Sequence, residues 1–551
     1  RVRMLCREWA SQVNPTPYSL MAMYWAKYLF LWIGGWAFWV SFSNEWTSLG
    51  DPGAWAFSLD AFRKAIVWAL FYELMGFGCG SGPMNARFWP PIGGCLHYAR
   101  PGTIKLPFLP NVPFLGSTKR SWLDAGLYVA NQLFLLRALV APEVTPELMW
   151  PTAVLLPVLG VLDKTLFLAA RSEHYYIAYL CILFAWDVGT PDAPLWIAGC
   201  KLVWCFIWFW AATSKLNHHF PSVIMVMMNN GPFFPKWLKH HLFVDYPDDL
   251  RPSRFAAFMA HFGTATEYSL PVLLILATGD PLLTIGACLL VTSFHGWIGI
   301  NNPSGMPVDW NILMIYGAWW LWAFHPEPVV FEIFQMPLLS AFLLFWLLVL
   351  PTYGNFVPRN VSFLLAMRYY AGNWAYNVWL FRGDSSKKLR AIKKASGTMR
   401  EQLQRMLNDE EAVNAAMMGM SSSRFMHLQG RPLLDALPRA VDHIDNYEWM
   451  EGEVLGGVVL GWNFGDGHLN GKQLLDAVQE RCHFEPGELR VISVESQPLF
   501  GPTMAWKIWD AATGLVDEGE TAISPMRSQT PWPSGAYAEA LERGNPTRGV
   551  A

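Results

Sequence analysis

The chain has 551 residues, 53% of them hydrophobic and 15% aromatic, with 30 Trp. Only 15% are charged, against roughly 25% in soluble domains, which excludes an ordinary soluble globular protein. The formal net charge of −3 says little by itself; no nucleic-acid partner is expected, and eight scattered Cys without a CxxC pair exclude a zinc-ribbon or thioredoxin-like signature.

Residues 1–20 are polar and carry Arg1, Arg3 and Arg7. Apolar runs near the roughly 20 residues that cross a bilayer then follow at 21–42, 60–77, 122–140, 152–170, 174–187, 195–216, 255–277, 282–300, 308–324 and 330–351. The second run contains Arg63, Lys64 and Glu73 and reads either as a span or as an interfacial helix. Between it and the third lies a Gly/Pro-rich loop, 78–121, too long for an ordinary connection. Its glycines, Gly76, Gly78, Gly80 and Gly82, are a weak phosphate-cradle signal, because they neither follow a strand nor open a clear helix.

Charge placement supports the count. With the first residues cytoplasmic, the outer loops 43–59, 141–151, 188–194, 278–281 and 325–329 contain no Lys or Arg. The inner segments hold Arg100, Lys105, Lys119, Arg120, Arg171, Lys236, Lys239, Arg251 and Arg254, among others. That asymmetry follows the positive-inside rule with both termini cytoplasmic. After Pro351, the aromatic segment FLLAMRYYAGNWAYNVWLF reads as an interfacial helix. The chain then turns polar. A Lys/Arg cluster at 387–394 favours anionic lipid, a helical stretch runs to about Met420, and LRVISVE, AWKIWDA and LVDEGETAI read as strands, the last two as a hairpin. The expected fold is an all-α polytopic membrane bundle of about ten transmembrane helices (1–382) with a C-terminal α+β soluble domain (383–551) on the cytoplasmic side.

Chemistry concentrates around WCFIWFWAATSKLNHHF, where Lys215 ends an apolar, Trp-rich span. A lysine there either snorkels to the interface or sits desolvated in a site and acts as a base. Glu267 lies mid-span, and an intramembrane carboxylate points inward to a cation or a polar cavity. Asp163 adjoins Lys164, but neighbouring helical residues do not face each other, so its partner must come from another span. His-His pairs at 218–219 and 240–241 suggest a metal site. Membrane di-iron enzymes use HxxxH and HxxHH boxes, which do not occur here, so no metal is expected.

AATSKLNHHF, TEYSLPVLLI and SFHGWIGINNPSGMPVDWNILM, in that order over about 195–325, resemble the vitamin K-dependent gamma-carboxylases and their bacterial relatives, the horizontally transferred transmembrane (HTTM) domain proteins. The resemblance implies that Lys215 is the base that a hydroquinone and oxygen activate, with His295 and Glu267 as partners. Two features depart from the pattern: Ser214 precedes Lys215 where the carboxylases carry Lys-Lys-Leu, and the C-terminal domain does not resemble their propeptide-binding region. Over its whole length the chain resembles an uncharacterised bacterial polytopic membrane-protein family with the GSGP…PPIGG…RPGTIKLP loop.

The leading expectation is therefore a quinol- or lipid-linked enzyme of the bacterial inner membrane. Its catalytic residues are Lys215, His295 and Glu267, and its cavity near the cytoplasmic leaflet is lined by Trp204, Trp208, Trp297 and Asn217. Its cofactor is a quinol or other isoprenoid lipid. The rivals are a non-catalytic subunit or scaffold binding lipid, pigment or a partner membrane complex, and a transporter of an envelope lipid. Topology is directly testable: single cysteines placed at Glu147 and at Lys236 should react with an impermeant maleimide from opposite faces of the membrane, and labelling from one face would refute the ten-span order.

Overall fold

The structure is a computed structural model and describes residues 2–11, 18–78, 93–231, 233–301, 307–369 and 371–532. Most of the glycine-rich stretch that includes Gly80 and Gly82 lies outside the described residues. The chain is mostly helical, with a β-sheet region toward its C-terminus. Four helices among the described residues are long and apolar enough to cross a membrane: Trp122–Val140, Trp196–Ser214, Pro281–Asn301 and Pro337–Phe356.

The other expected spans are helical but broken, short or polar. Tyr18–Ala26, Lys27–Ile33 and Gly34–Val40 follow one another as one helix with a π-helical middle. The expected 152–170 run divides at Asp163, whose extended backbone (φ −155°, ψ 96°) separates helix Pro146–Leu162 from helix Lys164–Ala169. Asp163 caps the second helix through the Thr165 N–H at 3.1 Å. Its other oxygen accepts from Arg120 at 2.6 Å. The partner is thus Arg120, from the end of the long loop, and not the adjacent Lys164. The described part of that loop, from 93 onward, is ordered against its surroundings: Ile104 bridges Lys119, and Lys105 pairs with Asp124 at 2.7 Å.

Leu59–Leu74 is not an interfacial helix. Every residue except Leu59 and Phe71 is buried. Three of its charges are met inside the protein: the Lys64 ammonium donates to the Trp39 and Ala141 carbonyls at 2.9 and 2.8 Å, Asp60 accepts from the Val144 N–H at 2.8 Å, and the Arg63 guanidinium lies 3.8 Å from the Trp186 ring centroid. This helix is the axis of the main core, packed by Trp36, Trp196, Trp204 and Trp320.

Among the described residues seven strands form two sheets. Phe243–Asp245 (β1) and Asp249–Pro252 (β2) make a small hairpin. The larger sheet has Tyr376–Arg382 (β3), Tyr447–Glu451 (β4), Leu489–Val494 (β5), Thr503–Asp510 (β6) and Gly514–Ala522 (β7), in the order β4-β3-β5-β6-β7, all antiparallel. The expected β6–β7 hairpin is present. The expected interfacial helix is not: its second half is β3, the most buried strand of the sheet. The alternation explains the burial. Trp379 and Phe381 point into the core shared with the helices, while Tyr376, Val378 and Leu380 point into a second core beneath helix Leu433–Ala440. A strand covered on both faces reads as an unbroken apolar run, which is why its period was hidden. The boundary expected at 382/383 falls at the end of β3.

Asp163→Ala would leave Arg120 buried and unpaired. A loss of about 3–5 kcal/mol is expected, read as a lowered unfolding midpoint of the detergent-solubilised protein, whereas an exposed control such as Asp187→Ala should leave the midpoint in place.

Candidate functional site

Helix Trp196–Ser214 ends in the turn that carries Lys215, whose N–H returns to the Ala212 carbonyl at 3.0 Å. Leu216 faces outward from that turn, and Lys215 turns back into the bundle, 5% exposed. Its ammonium does not snorkel. It donates to the Glu267 carboxylate in an ion pair and lies 5.1 Å from the Phe220 ring centroid. Glu267 comes from helix Arg254–Ala277 and is also buried. The two helices are pinned one residue further along, where the Tyr268 hydroxyl donates to Thr213 Oγ1 at 2.8 Å. In so apolar a place each charge is tolerated because the other is there.

The pair forms one wall of a cavity of about 50 Å³ between helices Phe220–Asn230, Arg254–Ala277 and Pro281–Asn301. Met227, Met259, Phe294 and Trp297 supply apolar surface, and Trp310, Asn311 and Tyr369 close the far side. Gly263 opens onto the same space: a Cβ there would meet only Phe220, at 4.0 Å.

The expected site residues separate into three groups. Lys215, Glu267 and Trp297 line the cavity. His295 and Trp208 stand one layer behind it. The Trp208 indole N–H donates to His295 Nε2 at 2.8 Å, and His295 Nδ1 lies 2.7 Å from Asn311 Oδ1. An indole nitrogen only donates, so His295 Nε2 is the acceptor and Nδ1 carries the proton. The Asn311 orientation agrees, since its Nδ2 donates to the Pro307 carbonyl at 2.8 Å. His295 is thereby a neutral ring with both nitrogens engaged, holding Asn311 on the cavity wall rather than reaching the cavity itself. Trp204 is further away; it fills the space left by Gly317, where an added Cβ would lie 2.5 Å from the indole.

Asn217 points to the C-terminal sheet instead of the cavity. It accepts from the Phe500 N–H at 3.0 Å and donates to the Pro498 carbonyl at 3.4 Å. Beside it His219 contacts Gln497 at 2.8 Å. Arg368 donates to the Gln497 carbonyl at 2.8 Å, and the Gln497 N–H donates to Asn373 at 2.7 Å. Residues 496–501 are thus fastened to the turn that carries the lysine. Glu495, at the head of that loop, pairs with His468 at 2.9 Å, and Asp466 lies 3.6 Å from the same ring. Burial alone would lower the His468 pKa, but the Glu495 and Asp466 carboxylates outweigh it and raise it. Burial would raise that of Glu495, and His468 with the Ser496 donors outweighs it and lowers it.

Sequence reasoning missed Asn311, Tyr369 and helix Phe220–Asn230. The helix is only 11 residues long and opens with Pro at its first turn. Tyr369 lies in the segment read as an interfacial helix. Among the described residues no three His, Cys, Asp or Glu side chains gather as metal ligands would.

Apolar helices of spanning length and charges paired inside them define an integral membrane protein. The chain belongs to the family described as "transmembrane protein of unknown function (DUF3556)", whose model matches residues 1–540. That match carries the whole-chain reading; no comparison supports membership of the gamma-carboxylase or HTTM family. Among curated proteins and among solved structures nothing matches the chain.

Two outcomes follow from this geometry. Lys215→Met should destabilise by about 3–5 kcal/mol, because Glu267 is left buried without a partner, and Lys215→Met with Glu267→Leu should recover most of that loss in the unfolding midpoint. For His468 the raised folded value means its contribution is full below the unfolded pKa of about 6.5 and is lost as pH rises through the folded value. For Glu495 the lowered value means its contribution is full above about 4.3 and is lost as pH falls. The difference in melting temperature between the protein and its His468→Gln variant should therefore be greatest between about pH 4.3 and 6.5 and shrink on either side; a pH-independent difference would be inconsistent with the pair.

Proposed function

We propose that this protein is a quinol- or lipid-linked integral membrane enzyme whose reaction centre is the Lys215–Glu267 pair. The observation that carries the reading is the placement of that pair on the wall of an otherwise apolar, aromatic-lined cavity. An amine and a carboxylate in direct contact, shielded from water, form a unit that exchanges a proton without solvent reorganisation. The bound molecule is the end of an isoprenoid or similar lipid, which the apolar lining suits. The cavity of about 50 Å³ is far below the roughly 300–1,000 Å³ of small-molecule pockets, so binding requires the lining to move. Met227 and Met259, unbranched and adaptable, are the groups that yield. In this reading about ten segments cross the bacterial inner membrane, both termini are cytoplasmic, the cavity faces the cytoplasmic leaflet, and the likeness of 195–325 to the carboxylases reflects a shared use of the lysine.

A second reading is favoured by the hydrogen bonding. Lys215, Glu267 and His295 each already have a protein partner, as residues of a non-catalytic scaffold would. One experiment separates the two. Lipids extracted from the detergent-purified protein, analysed by mass spectrometry, should be enriched in an isoprenoid quinone or polyprenyl lipid relative to the bulk membrane. Gly263→Leu, which places a side chain in the cavity, should remove that enrichment. Extracts with bulk composition from both proteins would give the function to the scaffold.

A further inference from the structure

Helices Trp122–Val140 and Pro146–Leu162 carry apolar side chains outward as well as inward. Trp150, Val154 and Val158 recur every four residues, so they share one face of the second helix, and all three are exposed. Leu133 stands exposed midway along the first helix, and Trp122, 81% exposed, opens it beside the exposed Leu123. On a membrane span such faces meet lipid tails, and a Trp at the end of a span lies at headgroup level. The apolar surface continues beyond the helix ends. The Val161 carbonyl, in the last turn of the second helix, accepts from the Phe108 N–H at 3.0 Å. From there residues 108–114 of the long loop extend the exposed stripe.

This part of the loop reads PFLPNVPFL over 107–115, with Pro-Phe-Leu occurring twice. Every residue from 108 to 114 is exposed. Phe108, Leu109 and Val112 are among them, and Phe114 is 100% exposed. The exposure is not that of a loose end, because the base of the turn is fixed. The Leu106 N–H donates to Asp163 at 3.2 Å, the Gln473 side chain donates to the Pro107 carbonyl at 2.8 Å, and the Lys105 N–H donates to the Thr118 carbonyl at 2.9 Å. The tip is folded on itself. The Val112 N–H reaches the Leu109 carbonyl at 3.2 Å, and the Gly116 N–H reaches the Val112 carbonyl at 2.8 Å. Only glycine fits there, since a Cβ at 116 would lie 2.1 Å from the Pro110 carbonyl oxygen. A turn held this firmly, with two Phe, a Leu and a Val turned outward, marks an interaction surface.

We propose that the tip 108–114 is a membrane anchor that enters the leaflet beside Trp122, with lipid as its partner. Continuity with the outward faces of the two helices argues for lipid. So does charge: no residue between Lys105 and Lys119 is charged, whereas a protein interface surrounds its apolar centre with a polar rim. Lys119, exposed at the foot of the turn, supplies a cation for headgroup phosphates. The anchor has a structural consequence. Helix Lys472–Cys482 is joined to the same loop through Gln473 and through Glu480, which accepts from the Thr118 hydroxyl at 2.8 Å. Insertion of the tip therefore holds this helix of the C-terminal region close to the bilayer. None of this depends on what the lysine cavity binds.

Site-directed fluorescence tests it. The full-length Phe114→Cys protein, carrying an environment-sensitive NBD label on the new thiol, is reconstituted into phosphatidylcholine–phosphatidylglycerol vesicles. Unsubstituted protein treated with the same reagent sets the baseline, and Leu133→Cys, labelled in mid-span, sets full lipid contact. The label at 114 should emit to the blue of its value in water. It should lose most of its intensity when the vesicle lipids carry a nitroxide near the headgroup end of the acyl chain. Val112→Cys, on the same tip, should read alike. Quenching by iodide present on both sides of the vesicle, with none by the nitroxide lipid, would put the tip in water and overturn the proposal. Shielding from both quenchers would put it against a second copy of the chain or another protein and would overturn it equally.

Discussion

A charge inside an apolar helical bundle survives only where an opposite charge or a set of dipoles meets it. In this protein that requirement decides which segments touch. Lys215 fastens its helix to Glu267, Arg120 fastens the long loop to the break at Asp163, and Lys105 fastens the same loop to Asp124. Lys201 donates to the carbonyls of Pro326 and Pro328 at 2.6 and 2.7 Å. Each contact joins segments distant in sequence, and each would be costly to break on one side only. Apolar packing among Trp, Phe and Leu is forgiving of small rotations, whereas these contacts are not. They therefore set the register in which the helices pack.

The same logic carries into the sheet. β3 contributes Trp379 and Phe381 to the core of the helical part, so the sheet does not hang from the bundle on a linker. The loop 496–501 makes the connection directional. Asn217, His219, Arg368 and Asn373 all bind it, and the first two lie within four residues of Lys215. These bonds tie the loop to the turn that carries the lysine. The His468–Glu495 ion pair stands at the head of this loop.

The helical class, most helix positions and the inward direction of Glu267 were legible, because a 3.6-residue or unbroken apolar run and a lone intramembrane charge are local signals. The fate of Lys215 was not, since snorkelling and pairing look alike until the partner's position is known. Asp163 shows the limit clearly: the sequence excludes Lys164 by geometry, but Arg120 becomes the partner only through the path of a long loop. The strand β3 was misread for a related reason. Burial on both faces erases the alternation that marks a strand, and its Trp and Tyr content mimics a membrane interface. Trp204 and Asn217 flank Lys215 in sequence yet miss the cavity: Asn217, two residues on in the turn, faces the sheet, and Trp204, a whole number of turns earlier on nearly the same side of the helix, is about 16 Å away along the axis at about 1.5 Å per residue, against Gly317.

The arrangement around His295 constrains any chemistry in the cavity. A histidine acts as acid or base through a free nitrogen within reach of the reacting atom. Here Nε2 accepts from Trp208 and Nδ1 donates to Asn311, so the ring has neither a free lone pair nor a free proton. For His295 to take part, one of those bonds must break, and both partners are buried. The group it presents to the cavity is instead the Asn311 amide, fixed in orientation by the ring on one side and the Pro307 carbonyl on the other. An amide so held can position a polar atom of a bound molecule but cannot exchange a proton with it. Under the proposed function, proton transfer in this space would therefore fall to Lys215 and Glu267, which face it directly, and the histidine would act on the site only through the amide it aims.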